Sequence, residues 1–282
     1  MNLGVRHCSP PMVDKTNPRG YNIHNERWIY MIFDTHAHYD DERLLENLPK
    51  TVENMKRNEV CAIITCGTDY KSSEFALKLA EQYDIMYAAV GIYPHEVINC
   101  DNFDRERLEK MLSHKKAVCV GEIGLDYYYD DTPRDMQLDW INQLLTLAND
   151  CNKPITFHDR DAHADTMQVL KKYRPKGVVH CFSGSVEMAK EIVNLGMYIG
   201  VGGVVTFKNA AKLVKVVDEI PLDKIVLETD APYMAPEPVR GTVNRSDYIH
   251  YIAERIAQIK GESVDTVCDV TTATAKQIFN IV

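Results

Sequence analysis

Short apolar segments alternate with longer amphipathic segments along most of this chain, and the alternation begins at Met31. The short segments have the continuous hydrophobicity of strands that are buried on both faces, as in parallel sheets. They predict eight strands: the run from Met31 that ends in His36 and His38, and the segments 60–66, 85–91, 117–122, 154–158, 177–180, 197–200 and 224–228.

The amphipathic segments between these strands have the spacing of helices that pack one face against a sheet. One helix has Thr132 and Pro133 at its predicted N-cap and first position, where proline is favoured. A strand followed each time by a helix favours a parallel barrel. A doubly wound sheet is the alternative, but no Gly-x-Gly-x-x-Gly turn follows the first strand. Other predicted helices span 42–57, 73–82, 104–114, 247–259 and 263–280.

Residues 1–30 differ from the rest of the chain. They contain Pro10, Pro11 and Pro18, show no periodicity, and lack the continuous apolar core of a secretory signal. We therefore expect an irregular N-terminal extension on the barrel surface, followed by a barrel domain over 31–282. The predicted fold is a single α/β domain, a TIM (β/α)8 barrel with an extra C-terminal helix.

Length and composition agree with this architecture. A chain of 282 residues suits a barrel, which typically needs about 250 residues. The hydrophobic fraction of 45% and the charged fraction of 26% are typical of soluble globular proteins, and no apolar run reaches membrane-spanning length. We expect no membrane association.

The charge distribution limits the kinds of partner. The net charge is −9, and Lys and Arg form no extended basic stripe, which argues against a protein that coats DNA non-specifically. A nucleic acid can still be a substrate if it enters end-first at a site whose positive charge comes from metal ions. None of the eight cysteines forms a Cys-x-x-Cys pair, so we expect reduced thiols in a cytoplasmic protein.

Two histidines, His36 and His38, stand one residue apart at the end of the first predicted strand. Side chains repeat every two residues along a strand, so both imidazoles should point the same way. This is a metal-binding spacing, but an ordinary polar turn after a strand would explain it equally well. The ends of the other strands therefore decide between the two interpretations.

Other predicted strands also end in, or are followed by, residues of the types that bind metals, namely histidine, glutamate and aspartate. In a barrel these residues would meet at the carboxyl-end mouth, where barrel enzymes place their chemistry. A satisfied polar residue explains any one of them, but such a set is better explained by a divalent-metal centre. Six ligands are too many for one tetrahedral zinc site and favour two ions bridged by a carboxylate. The predicted set is His36, His38, Glu122, His158, His180 and Asp230.

Several segments resemble the motifs of the TatD family of metal-dependent deoxyribonucleases. The similarity runs in order from Met31 to about Phe279 and rests on four segments: 33–38 (Phe-Asp-Thr-His-Ala-His), 121–128, 180–184 and 228–233. The resemblance implies a barrel of the amidohydrolase type with the same six residues as ligands. It also implies that Glu122 is the bridging carboxylate.

The chain departs from the family pattern in two loops. Tyr93 stands where many members carry a histidine, although His95 keeps the second histidine of that loop. Segment 238–245 retains Arg-Gly and Asn but continues with Ser246 instead of the usual proline. Neither change touches a predicted ligand, so the departures bear on substrate preference.

The expected reaction is in-line hydrolysis of a phosphodiester by water that is activated between two divalent metal ions. Zn, Mg, Mn and Ni all suit imidazole and carboxylate ligands. Asp230 and Glu122 are the predicted catalytic residues, with Asp230 receiving a proton from the water. His95, Arg160 and Arg240 are candidates for binding substrate phosphates, and Tyr127, Tyr128 and Tyr233 are candidates for stacking on bases.

The resemblance favours a 3′-to-5′ exonuclease that acts on single-stranded DNA. An alternative is a hydrolase of carboxylic esters or amides, such as a D-aminoacyl-tRNA deacylase, which would make tRNA the substrate. A metal-binding scaffold without turnover is a third interpretation, although the complete ligand set argues against it. We expect a monomer.

Overall fold

The computed structural model describes residues 31–281, so the interpretation of 1–30 as an irregular extension lies outside the described residues. Eight strands form one sheet in sequence order, and every neighbouring pair is parallel. The strands are β1 Ile32–Ala37, β2 Val60–Cys66, β3 Met86–Val90, β4 Ala117–Asp126, β5 Ile155–Arg160, β6 Gly177–Val179, β7 Tyr198–Val201 and β8 Ile225–Leu227.

Helices follow each strand, and the extra helix predicted at the C-terminal end is present. The barrel prediction is confirmed. The helices are α1 Glu42–Leu45, α2 Leu48–Arg57, α3 Tyr70–Gln82, α4 Arg105–Leu112, α5 Arg134–Asp150, α6 His163–Tyr173, α7 Val186–Asn194, α8 Ala211–Glu219, α9 Ile249–Lys260 and α10 Val264–Phe279.

The seam between the first and last strands nearly closes the barrel. The Thr35 hydroxyl donates to the Leu227 carbonyl at 2.9 Å, and a bridge joins Ala37 to Ala231. Next to it, the buried Asp34 carboxylate accepts from the Thr229 amide at 2.9 Å and the Thr229 hydroxyl at 2.6 Å. A buried carboxylate satisfied by such donors holds β8 against β1.

Burial explains why these segments are strands and helices. All ten residues of β4 are buried, as expected for a strand with the barrel interior on one side and helices on the other. On the outside of β1, Phe33 packs against Phe279 of α10 with ring centroids 6.2 Å apart. Side-chain caps start several helices: Ser263 accepts from the Thr266 amide, and Asp69 and Ser72 form a capping box at α3.

The predicted ends of β4, of the first helix and of α5 were wrong. β4 does not end at Glu122 but continues to Asp126, because Ile123 and Leu125 stay buried and the strand remains paired with β5 as far as Arg160. The predicted helix 42–57 is two helices, and α5 begins at Arg134, with Pro133 as its N-cap residue.

Within residues 31–281, no helix combines the length and hydrophobicity that crossing a bilayer requires. The seven cysteines in this part of the chain are free thiols.

Candidate metal centre

The six predicted ligands come together at the carboxyl end of the barrel. His36, Glu122 and His158 lie within strands, whereas the other three follow the last residue of a strand by one to three positions. His36 and His38 point the same way, as their spacing predicted, with their Nε2 atoms 3.2 Å apart. Positions 36, 38, 122, 158, 180 and 230 therefore form one cluster, which we call the ligand cluster.

Glu122 lies between two pairs of histidines. Its Oε2 is 3.4 Å from the Nε2 atoms of both His36 and His38. Its Oε1 is 2.9 Å from His158 Nδ1 and 2.9 Å from His180 Nε2. Each carboxylate oxygen therefore faces its own pair of imidazoles, which is the arrangement that a bridging carboxylate requires.

Asp230 closes the cluster on the side of the first histidine pair. Its Oδ1 lies 3.4 Å from His38 Nε2 and 3.9 Å from His36 Nε2. The Asp230 backbone has a φ of 53°, and its amide donates to the His36 carbonyl at 2.9 Å. Asp is among the residues that tolerate this left-handed conformation, and the barrel seam fixes it there.

Hydrogen bonds outside the cluster orient the first two rings. The Cys66 carbonyl can only accept, so His38 donates to it from Nδ1 at 3.3 Å and turns Nε2 toward Glu122. His36 Nδ1 lies 3.0 Å from the Thr156 hydroxyl, which leaves the Nε2 atom of His36 facing Glu122 as well. The sequence reasoning missed Thr156, although it stands two residues before His158 and therefore on the same strand face.

Asp126 orients His158 and was also missed. Asp126 Oδ2 lies 3.1 Å from His158 Nε2 and accepts from the Tyr93 hydroxyl at 2.8 Å. His158 thus donates from Nε2 and turns Nδ1 toward Glu122. The strand period gave a usable signal, because Asp126 stands four residues after Glu122 along β4.

We predict that Asp126→Asn weakens divalent-metal affinity about 10- to 100-fold, because the His158 ring loses the carboxylate that fixes its tautomer and angle. Titration with a metal-binding competitor dye measures the change. Tyr93→Phe is the matched control: it removes one donor to Asp126, keeps the carboxylate, and should cost much less. Equal affinities for Asp126→Asn and the unaltered protein would contradict the orienting role.

The histidines of the cluster differ in their electrostatics. Burial opposes the charged form of every ring, but the carboxylates beside them raise the pKa of His38 and of His158 to about 9. Burial lowers the pKa of His36 to about 4, so this imidazole is neutral at neutral pH, as a metal ligand must be. Burial alone would raise the pKa of Glu122, but the imidazoles of His180, His36 and His158 hold it well below its usual range. Glu122 is therefore an anion at the centre of the cluster.

Glu228 lies behind His180, on the side away from Glu122. Burial raises its pKa well above the usual range. Its Oε1 accepts from the Cys181 amide at 2.5 Å and lies 4.0 Å from His180 Nδ1. A Cβ at position 200 would lie 2.2 Å from Glu228 Oε2, so any residue larger than glycine there would have to displace this carboxyl group. The position of Glu228 beside His180 Nδ1 is suited to orienting the His180 ring.

The donor set fits divalent cations. Imidazole nitrogens and carboxylate oxygens are the ligands of zinc, manganese and nickel, and the ion pairs of Glu122 and Asp230 all involve imidazoles. Two buried carboxylates need compensating positive charge, which bound cations supply. The donor atoms form three groups, each within 4.8 Å: positions 36, 38 and 122; 36, 180 and 230; and 122, 158 and 180.

A cavity of about 920 Å³ opens above the cluster, and all six ligands except the fully buried His36 line it. Of the three residues predicted to bind phosphate, Arg160 lines the cavity. Lys212 also lines it and was not predicted from the sequence. His95 and Arg240 are not among the lining residues.

Both of these residues have other partners. His95 Nδ1 lies 2.5 Å from Asp131, and the Arg240 guanidinium lies 3.8 Å from the Phe207 ring centroid. Either side chain would have to leave its present partner before it could contact a substrate phosphate.

Comparison with known proteins identifies relatives along nearly the whole barrel. The family model of TatD-related DNases matches residues 33–280. An uncharacterized metal-dependent hydrolase of Bacillus subtilis, YabD, is 39% identical over 254 residues, covering 89% of this chain and 100% of YabD. The crystal structure of YjjV, a TatD homologue of Escherichia coli, superposes with a TM-score of 0.86 at 31% identity and covers 90% of this chain and 100% of YjjV. A hydrolase of the TatD family from Entamoeba histolytica shares the fold, with a TM-score of 0.81 at 22% identity over 89% of this chain and 99% of that one.

Proposed function

This chain belongs to the TatD-related DNase family of metal-dependent hydrolases, and we propose that it removes nucleotides from the 3′ end of single-stranded DNA. The observation that carries the proposal is the position of Glu122, with one carboxylate oxygen toward each histidine pair. A two-sided carboxylate of this kind suits a pair of divalent ions better than a single ion.

The ligand cluster would hold the two ions in two groups. His36 and His38 would bind one ion with Asp230, and His158 and His180 would bind the other, with Glu122 shared between them. When bound, such ions lower the pKa of a water molecule toward neutrality and neutralise charge on a phosphoryl oxygen. Zn, Mg, Mn and Ni all remain candidates.

The protein's own residues would then position the substrate and move a proton. Asp230 lies at the floor of the cavity, and its neighbouring imidazoles keep it ionised by lowering its pKa against the effect of burial. It is therefore placed to accept a proton from the attacking water. Arg160, in the cavity wall, is placed to donate hydrogen bonds to a phosphate.

The acidic chain as a whole supports end-on entry of the nucleic acid. With a net charge of −9, binding along the outer surface would be repulsive, whereas a metal-loaded cavity would attract a single strand end. The monomeric state and the cytoplasmic location stay predictions.

A labelled oligonucleotide tests the activity directly. We expect purified protein with Mg²⁺, Mn²⁺, Zn²⁺ or Ni²⁺ to shorten a 5′-labelled single strand into a ladder, and to release the label of a 3′-labelled strand as a mononucleotide at once. Absence of shortening with all four metals would reject the exonuclease and favour the hydrolysis of carboxylic esters or amides. D-aminoacyl-tRNA would then be the substrate to assay.

A further inference from the structure

We propose that Tyr128 and Tyr129, together with Arg160, form a binding subsite for an unpaired nucleobase at the rim of the cavity. The proposal rests on the proposed function, because it assigns the group that holds the single strand beside the hydrolysed bond. We call these three residues the stacking subsite.

The two tyrosines are exposed in a way that their neighbour is not. Tyr127 is partly buried, donates its hydroxyl to Asp165 at 2.8 Å, and has the Arg134 guanidinium 4.3 Å from its ring centroid. Tyr128 and Tyr129 are 56% and 52% exposed and meet edge to face at 4.8 Å. Large aromatic rings left in water next to a cavity favour a ligand with an apolar face.

The stacking subsite is continuous with the cavity. Tyr129 and Arg160 both line it, together with Glu122 and His158 of the ligand cluster. The Arg160 guanidinium lies 3.7 Å from the Tyr128 ring centroid and 5.2 Å from that of Tyr129. The subsite therefore offers aromatic surface and positive charge together, which matches a base with its adjoining phosphate.

The loop that carries Tyr128 and Tyr129 is hydrogen-bonded to Arg160 and to Asp126, which orients the ligand His158. The Tyr127 amide donates to the Arg160 carbonyl at 2.8 Å, and the Tyr128 amide donates to Asp126 Oδ1 at 3.0 Å. The same Asp126 side chain orients His158 through its other oxygen. Because one carboxylate fixes both the loop and a ligand, a base stacked here would have a set distance from the hydrolysed phosphate.

The chemistry of stacking indicates which ligand the subsite takes. An aromatic face accepts any of the four bases, so the subsite should prefer unpaired strands without preferring a sequence. A base inside a duplex is already stacked on its neighbours and cannot offer its face. Single-stranded DNA or RNA of any sequence fits, and the ligand cluster below determines what is cleaved.

The test compares a normal single-stranded oligonucleotide with one whose terminal nucleotides lack bases. We expect the double variant Tyr128→Ala/Tyr129→Ala to lower kcat/KM for the normal strand relative to the abasic strand about 10-fold or more, mainly through KM. Tyr128→Phe/Tyr129→Phe keeps both rings and should keep the ratio. An equal loss for both strands, or no loss, would overturn the subsite.

A binding measurement separates failure of the subsite from failure of the proposed function. Fluorescence anisotropy of a labelled single strand, titrated with unaltered protein and with the Ala and Phe variants, needs no turnover. If the unaltered protein cleaves neither strand, the exonuclease proposal fails, but weaker binding in the Ala variant alone still supports the subsite. Equal binding by all three proteins would exclude it.

Discussion

Glu122→Ala should remove hydrolytic activity and bound metal together. The substitution takes away a carboxylate that contacts both histidine pairs, at 3.4 Å on one side and 2.9 Å on the other. We expect kcat/KM to fall at least about 10³-fold, which corresponds to about 4 kcal/mol of transition-state stabilisation. Elemental analysis of the purified variant should show a lower metal content per chain.

Glu228→Gln is the matched control for this experiment. Glu228 is as deeply buried as Glu122, and burial raises its pKa, but it lies outside the space between the histidine pairs. The amide should keep its shape and leave the metal content unchanged. If Glu122→Ala also kept its full metal content, the bridging role would be wrong.

Asp230→Asn should lower kcat about 10²- to 10⁴-fold at saturating metal, since an amide cannot accept the proton that the carboxylate is placed to receive. Binding of a labelled oligonucleotide should persist, because the substitution keeps the size of the side chain. Single-turnover assays at several metal concentrations separate loss of chemistry from loss of metal.

Asp40→Asn supplies the control for Asp230→Asn. Asp40 also lines the cavity but is not part of the ligand cluster, and we expect it to tolerate the same change with little loss of rate. The Asp230 variant also separates an enzyme from a scaffold. A protein that acts only by binding metal would keep its biological effect without the proton acceptor.

The sequence predicted the barrel and the cluster because both depend on periodicity. Eight continuous apolar runs predict buried parallel strands, and parallel strands bring their carboxyl ends to one rim. His36 and His38 are a clear case: a spacing of two fixes their common direction wherever the strand lies, and their Nε2 atoms are 3.2 Å apart.

Contacts made by loops could not be predicted in this way. Whether Arg240 reaches the cavity depends on loop conformation, which long-range packing determines and periodicity does not. Arg160 lies in β5 and reaches the cavity, whereas Arg240 lies outside any strand and packs on Phe207. The Tyr93 hydroxyl meets Asp126 across a separation of 33 positions, for which no local pattern gives a signal.

The seam between β1 and β8 has a consequence for protein synthesis. Asp34 and Thr229, whose hydrogen bonds hold the seam, are separated by 195 positions. A ribosome makes His36 and His38 early and Asp230 late, so β1 must wait with one edge unpaired while most of the barrel is translated. A nascent chain that stops before β8 lacks the last ligand. The complete ligand cluster can thus form only after Asp230 has been translated, when the barrel can close.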